Sequence, residues 1–258
     1  MPVSSYDKTV PTQLNRLEAE DPAGLPATTF WERAATTRWG RYLSRIERLG
    51  LLQAAALAGP PAEALEIGCE GGRWSKMLAG QGWRMTCIDV DPAMLAECQR
   101  KVPGATCLLS SPQAKTIPCA PAAMDLLLCV EVAPVIGSEW FLPEAGRVLR
   151  DHGILTGVCW NRTSLRGWGS RLKGRRAPPD DTVFYDRAFS RWKKDLRRAG
   201  FELVHEEGFC WGPFGRVSNS PLIPWFTKLE RLLQLHRLTV FSPWVFFIAR
   251  KIPNRRAA

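Results

Sequence analysis

Apolar and polar positions alternate along the chain in blocks whose period switches between helix and strand. Over residues 31–57 the apolar positions Trp39, Tyr42, Leu43, Ile46, Leu49 and Leu52 recur at helical spacing, which predicts one or two helices leading into a core. Short apolar runs then take over, and residues 64–67, 83–90, 106–109, 124–130 and 154–160 read as five strands. Helical segments lie between them. Residues 74–78 open a helix closed by Gly80 and Gly82, and residues 93–102 follow Asp91-Pro92, an N-cap and first-turn signature. Residues 143–150 form the helix before the fifth strand. A helix over 187–199, ended by Gly200, leads to a sixth strand over 201–206, and 244–250 makes a seventh. Strands alternating with helices in this way predict an α/β fold with a doubly wound, mostly parallel seven-stranded sheet.

Two connections are too long for ordinary loops, about 161–186 and 208–243, and both leave from the strand ends where open parallel sheets bind ligands. They predict helical or loop caps inserted into a domain over 61–258, preceded by an arm and helices over 1–60. Residues 1–29 hold four prolines and little periodicity, as a loose arm would.

Composition and charge narrow the reading. At 258 residues, 45% hydrophobic and 23% charged, the chain is of ordinary globular type and long enough for a sizeable core. The longest apolar run falls far short of the ~20 residues needed to span a bilayer, and the first ten residues lack a signal-peptide core, so the expected location is cytoplasmic. The eight cysteines form no Cys-x-x-Cys pair and the three histidines are scattered, which predicts buried reduced thiols and no metal. The net charge of +10 is uneven: residues 161–200 hold 12 Lys and Arg against 4 Asp and Glu, residues 201–258 hold 8 against 4, and the first 160 residues sum to −2. The basic half is also rich in Trp and Phe. The cap segments thus supply Arg162, Arg166, Trp168, Arg171, Lys173, Arg175, Arg176, Trp211 and Arg216, and an amphipathic stretch through Trp225, Phe226, Leu229, Leu232 and Leu233. Such a cap suits an anionic partner, a peripheral membrane contact among them, as well as a solvated face.

The candidate chemistry lies in Glu66-Ile67-Gly68-Cys69-Glu70-Gly71-Gly72, which ends the first strand and opens the first helix of the sheet. Glycines let the backbone turn sharply beside a ligand, and a helix N-terminus presents free N–H groups. A dinucleotide fingerprint needs glycine where Glu70 and Arg73 stand, which disfavours NAD. Asp89 ends the second strand, where a carboxylate can take both hydroxyls of a ribose, so a nucleoside-containing ligand fits.

With Cys87-Ile88-Asp89-Val90-Asp91-Pro92, Met124-Asp125-Leu126-Leu127-Leu128-Cys129 and Glu144-Ala145-Gly146-Arg147-Val148-Leu149 following in order, the chain resembles class I S-adenosylmethionine-dependent methyltransferases over roughly 65–160. The resemblance implies a Rossmann-like methyltransferase fold with S-adenosyl-L-methionine as cofactor. It implies that Gly68, Cys69, Gly71 and Gly72 line the methionine end, that Glu66 supports the loop and that Asp89 holds the ribose. Val90, Met94, Gln113 and Ala114 would lie by the adenine, and Cys129 at the end of the fourth strand. Glu131 would lie near the transferred methyl, and Glu131 and Tyr185 are the candidate bases. Glu70 stands where glycine is usual, and its carboxylate could pair with the cofactor's ammonium, repel its carboxylate or face solvent. Asn161, Arg162, Trp211 and Arg216, from the two caps, are the candidate acceptor residues. The resemblance implies methyl transfer and leaves the acceptor open; the expected acceptor is a small-molecule or lipid-linked one, anionic to match the basic caps. RNA methylation and a non-catalytic binding role are the alternatives.

Overall fold

The computed structural model describes residues 29–174 and 184–253. The arm over 1–28 and the basic side chains Arg171, Lys173, Arg175 and Arg176 lie outside what is described.

Seven strands form one sheet in the order β3-β2-β1-β4-β5-β7-β6. They are β1 (Glu63–Ile67), β2 (Arg84–Asp89), β3 (Thr106–Leu109), β4 (Met124–Cys129), β5 (Leu149–Trp160), β6 (Phe201–Phe209) and β7 (Trp244–Lys251). β1 to β5 run parallel, and β7 enters antiparallel between β5 and β6. The central strands are buried on both faces, as their unbroken apolar runs require.

β5 begins earlier than the sequence suggests. The helix expected over 143–150 is α6 (Phe141–Val148), and Leu149 already pairs with Met124 of β4. His152 sits inside this strand at φ 66°.

One face is covered by α1 (Phe30–Ala35) and the 21-residue α2 (Arg38–Ala58). α1 starts at a capping box, with the Thr29 hydroxyl accepting from Glu32 N–H and the Glu32 carboxylate accepting from Thr29 N–H. α2 starts at Thr37, whose hydroxyl accepts from Gly40 N–H. Its stripe of Trp39, Leu43, Ile46, Leu51 and Ala54 packs in the cluster that holds Leu126, Leu128 and Phe246 of the sheet. α3 (Arg73–Ala79) and α4 (Pro92–Lys101) share that cluster, and α4 is capped by Asp91 as its sequence predicts. α6 and α8 (Phe189–Arg198) cover the other face through Phe141, Phe189 and Trp192. α5 (Ala133–Ile136) is a single turn after β4. The caps contain α7 (Leu165–Gly174) and α9 (Ile223–Leu232). Among the described residues no helix is long and apolar enough to cross a membrane.

Candidate functional site

A cavity of about 520 Å3 opens beyond the carboxyl ends of β1, β2 and β4, where the strand order reverses. Its floor is the turn from β1 into α3. Gly68 and Cys69 both donate their N–H groups to Ile88 O, at 2.8 and 3.2 Å, which holds the turn against β2. Gly68 lies at φ 69°, and a Cβ there would stand 2.4 Å from Val132 Cγ2 in the loop after β4. Gly68→Ala is therefore expected to destabilise the fold by about 1–3 kcal/mol, read as a lower denaturant midpoint with unchanged slope.

Glu70 follows in the left-handed region, at φ 47°. Its N–H donates to Asp89 Oδ2 at 2.8 Å, and its Oε1 accepts from Trp31 N–H at 3.3 Å. The carboxylate thus faces the first turn of α1, where free N–H groups and the helix dipole favour negative charge. Burial raises its pKa, and the bonds from Thr29 and Trp31 oppose that rise. Of the three orientations open to the sequence, the structure shows a fourth: Glu70 fastens α1 over the cavity.

Two acid–base pairs also line the cavity. Glu47 of α2 is buried, and Arg73 reaches it at 3.3 Å while donating to Ser44 Oγ at 2.7 Å. Burial raises the Glu47 pKa well above the usual carboxylate range, and the neighbouring Glu131 adds to the rise. Glu47 Oε1 is buried without a hydrogen-bond partner. Glu131, at φ 58° just past β4, is ion-paired with Arg216. The Arg216 guanidinium lies between two indoles, 4.1 Å from the Trp31 ring centroid and 4.6 Å from that of Trp244. Glu70 and Glu131 are both non-glycine residues at positive φ on the cavity wall, a strain that persists where surrounding contacts over-determine it.

Glu66 faces inward from β1 and accepts from the Ser75 hydroxyl of α3, which ties strand to helix beneath the loop. Burial, first, and the Cys87 thiol, second, raise its pKa from 4.5 to about 8. A carboxyl whose folded pKa is raised stabilises the fold fully below its unfolded value and loses that contribution as pH rises through the folded one. The unfolding temperature should accordingly fall between about pH 4.5 and 8, with Glu47 acting in the same direction. Glu66→Gln should flatten this slope in a thermal melt series. Parallel curves for variant and wild type would contradict a neutral Glu66.

Of the residues expected at the site, Glu66, Gly68, Cys69, Glu70, Asp89, Val90, Met94, Ala114, Glu131 and Arg216 line the cavity. The others do not. Gly71 packs toward Thr29, Lys101 and Glu97, and Gly72, at φ 75°, toward Cys98, so both shape the turn behind the cavity. Gln113 is exposed, accepting from Ser111 Oγ, and Cys129 is fully buried within the sheet. Tyr185 Oη accepts from Trp244 Nε1 at 3.1 Å, behind the indole that stacks on Arg216, which removes it as a base. Asn161 is an internal lock rather than an acceptor residue. Its Nδ2 donates to Thr239, Val240 and Ser242 carbonyls, and its Oδ1 accepts from Thr163 and from Phe189 N–H. Arg162 is exposed and donates to Asp186 O, and Trp211 gives its backbone N–H to Glu230 away from the cavity.

Residues that sequence reasoning missed come chiefly from α1 and α2: Trp31, Leu43, Ser44 and Glu47. Glu47 carried a usable signal, a charge on the stripe set by Leu43, Gly50, Leu51 and Ala54. All eight cysteines are free thiols. Cys69, Cys87 and Cys98 place their sulfurs within 4.8 Å of one another, packed behind the loop in the buried core.

Residues 65–156 match the family model described as a methyltransferase domain. No curated protein sequence matches the chain. Among solved structures, the fold is similar to a candidate sarcosine dimethylglycine methyltransferase from Galdieria sulphuraria, with a TM-score of 0.56 and 14% identity over 81% of this chain and 86% of that one. It is also similar to geranyl diphosphate methyltransferase in complex with its diphosphate ligand and sinefungin (TM-score 0.54, 15% identity, 83% of this chain and 82% of that one). A third likeness is to a SAM-dependent methyltransferase from Archaeoglobus fulgidus (TM-score 0.53, 16% identity, 80% and 94%).

Proposed function

We propose that the chain is a class I S-adenosylmethionine-dependent methyltransferase and that it methylates a neutral oxygen or nitrogen on a small or lipid-linked acceptor seated beside Glu131 and Glu47. S-adenosylmethionine is the cofactor, and when bound it supplies an electrophilic methyl on a sulfonium. The residues present fit it. Asp89 and Asp91 stand at one end of the cavity beside the apolar side chains Ile88, Val90, Met94 and Ile117, which suits a ribose and a flat base. Asp89 and Asp91 bring carboxylates that no lining arginine pairs with, which suits a cationic ligand.

The observation that carries the acceptor reading is the carboxyl pair in a cavity that Trp31, Leu43, Val135 and Trp140 also line. Both arginines on that wall are already engaged by the protein, Arg73 by Ser44, Glu47 and the Trp74 ring and Arg216 by Glu131, so both guanidiniums have partners before an acceptor arrives. A neutral acceptor in an apolar pocket is favoured over the anionic one that net charge alone suggests. Glu131 would take the proton that the acceptor sheds when the methyl passes to it and S-adenosylhomocysteine leaves, with Arg216 holding the carboxylate in place. Glu47 Oε1, unpartnered, would bond the acceptor's polar group and fix its line of attack.

Incubating the protein with radiolabelled S-adenosylmethionine and a cell extract, then separating lipid, small-molecule, RNA and protein fractions, tests this. Label is expected in the lipid or small-molecule fraction. Label confined to RNA or protein, or none from a preparation that binds the cofactor, would overturn it.

A further inference from the structure

The second cap holds a helix whose faces are inverted relative to an ordinary surface helix. In α9 Ile223 and Glu230 are buried, and the 38% exposed Phe226 turns one edge inward. Phe226 packs edge-on against Phe214 with centroids 5.2 Å apart, and Glu230 accepts from Tyr42 Oη at 2.6 Å. The outward positions are Leu222, Trp225, Leu229, Leu232 and Leu233, at 56, 72, 48, 78 and 56% exposure. A helix that turns its one carboxylate inward and its leucines outward has the reverse of the usual pattern.

The apolar surface continues past the helix. Leu238 and Phe241 are 48 and 61% exposed. Asn161 and Thr163 bind the carbonyls of this stretch, which sets the start of α7 beside it, with Leu165 82% and Trp168 58% exposed. Isolated exposed leucines need no explanation, but a run of large side chains drawn from neighbouring elements marks an interaction surface. The charges around it select the partner. Within residues 217–243 the exposed charged side chains are Lys228, Arg231 and Arg237, all cationic, while the one acidic residue, Glu230, is buried against Tyr42. Lys228 lies over the Trp225 ring at 5.7 Å, so cation and indole share one spot. Aromatic and leucine side chains with only cations beside them form the pattern of a helix lying in a membrane interface, the apolar face among acyl chains and the cations at anionic headgroups.

We propose that this face, α9 with the stretch through Phe241 and the start of α7, docks the protein on a bilayer carrying anionic lipid. The placement has a consequence for the cavity. Arg216, on the cavity wall, is followed at once by exposed Val217, and Ser218 O and Asn219 Oδ1 accept from the first N–H groups of α2. The docking face therefore adjoins the wall made by α1 and α2, and a docked molecule holds that wall next to the lipid surface. Docking does not depend on the acceptor reading, and binding alone tests it.

The test is co-sedimentation of the full chain with phosphatidylcholine vesicles, with and without phosphatidylglycerol, at low and high salt. Binding is expected to the anionic vesicles, and to weaken as added salt shortens the screening length from about 30 Å at 0.01 M to about 3 Å at 1 M. The variant Trp225→Ser with Leu232→Ser, and separately Lys228→Glu with Arg231→Glu, should each lower the partition coefficient by about tenfold or more. Both pairs are exposed, so binding of S-adenosylhomocysteine should stay at the wild-type level. No sedimentation with anionic vesicles, equal binding to both vesicle types, or undiminished binding by both variants overturns the proposal. So does a wild-type dimer in light scattering that the Trp225→Ser, Leu232→Ser variant converts to monomer without any change in vesicle binding, since that assigns the face to a second copy of the chain.

Discussion

Asp89→Ala is expected to raise the dissociation constant for S-adenosylhomocysteine by roughly ten- to a hundredfold, the ~1.5–3 kcal/mol of hydrogen bonds to a charged group. The carboxylate has two tasks. Oδ2 accepts from Glu70 N–H at 2.8 Å, while Oδ1 accepts from Val90 N–H at 2.7 Å and Asp91 N–H at 3.1 Å. Those bonds join the turn after β1 to the turn after β2 and leave the carboxylate on the cavity wall with its remaining lone pairs. The substitution therefore removes an acceptor for the ribose and also loosens the loop that seats the rest of the ligand. Asp89→Asn should fall nearly as far, because an amide in place of Oδ2 sets a donor against Glu70 N–H. Calorimetric titration gives the constants, and a thermal melt checks that each variant is folded. Wild-type affinity in a folded Asp89→Ala protein would remove Asp89 from the cofactor site.

The same contacts explain why this part of the molecule is legible in sequence. The glycine turn, the acidic end of β2 and the Asp91-Pro92 cap are local signals, each set by backbone geometry within a few residues. Glu70 is legible only as an exception. Its carboxylate is explained by Trp31, 39 positions away, and no periodicity links the two. Asn161 shows the opposite failure. A polar residue at the start of a long segment suggests a ligand contact, yet its amide is saturated by backbone groups of the second cap and of α8, a need that arises only because two long connections meet there. Gly71 and Gly72 belong to the motif by spacing, but their crowding against Thr29 and Cys98 shows close packing as the reason they are glycine. The helical stripe of α2 predicts burial for Leu43 and Ile46. That Glu47, on the same stripe, meets Glu131 follows from how α2 crosses the sheet, which the sequence pattern leaves open.

Glu131→Gln is expected to lower the rate of methyl transfer by about 10²–10⁴-fold, the usual contribution of a positioned proton acceptor, with the affinity for S-adenosylhomocysteine unchanged. The neighbours of Glu131 decide how that loss should vary with pH. In the wild type, Glu131 and burial both push the Glu47 carboxyl up, while Arg73 and Arg216 pull it down. Removing the Glu131 charge deletes one of the raising effects and leaves Arg216 held between Trp31 and Trp244 without its ion-pair partner, so Glu47 should ionise at lower pH in the variant. An ionised Glu47 on the same wall can then take over part of the proton transfer. The residual rate of Glu131→Gln should therefore rise with pH, and Glu47→Gln added to it should abolish that rise. Glu47→Gln alone should cost less than Glu131→Gln, because an amide resembles the protonated carboxyl that burial favours at Glu47. A pH–rate series on the three variants separates the outcomes: a full wild-type rate in Glu131→Gln would show that transfer proceeds by positioning alone, and a flat residual rate would show that Glu47 plays no part in moving the proton.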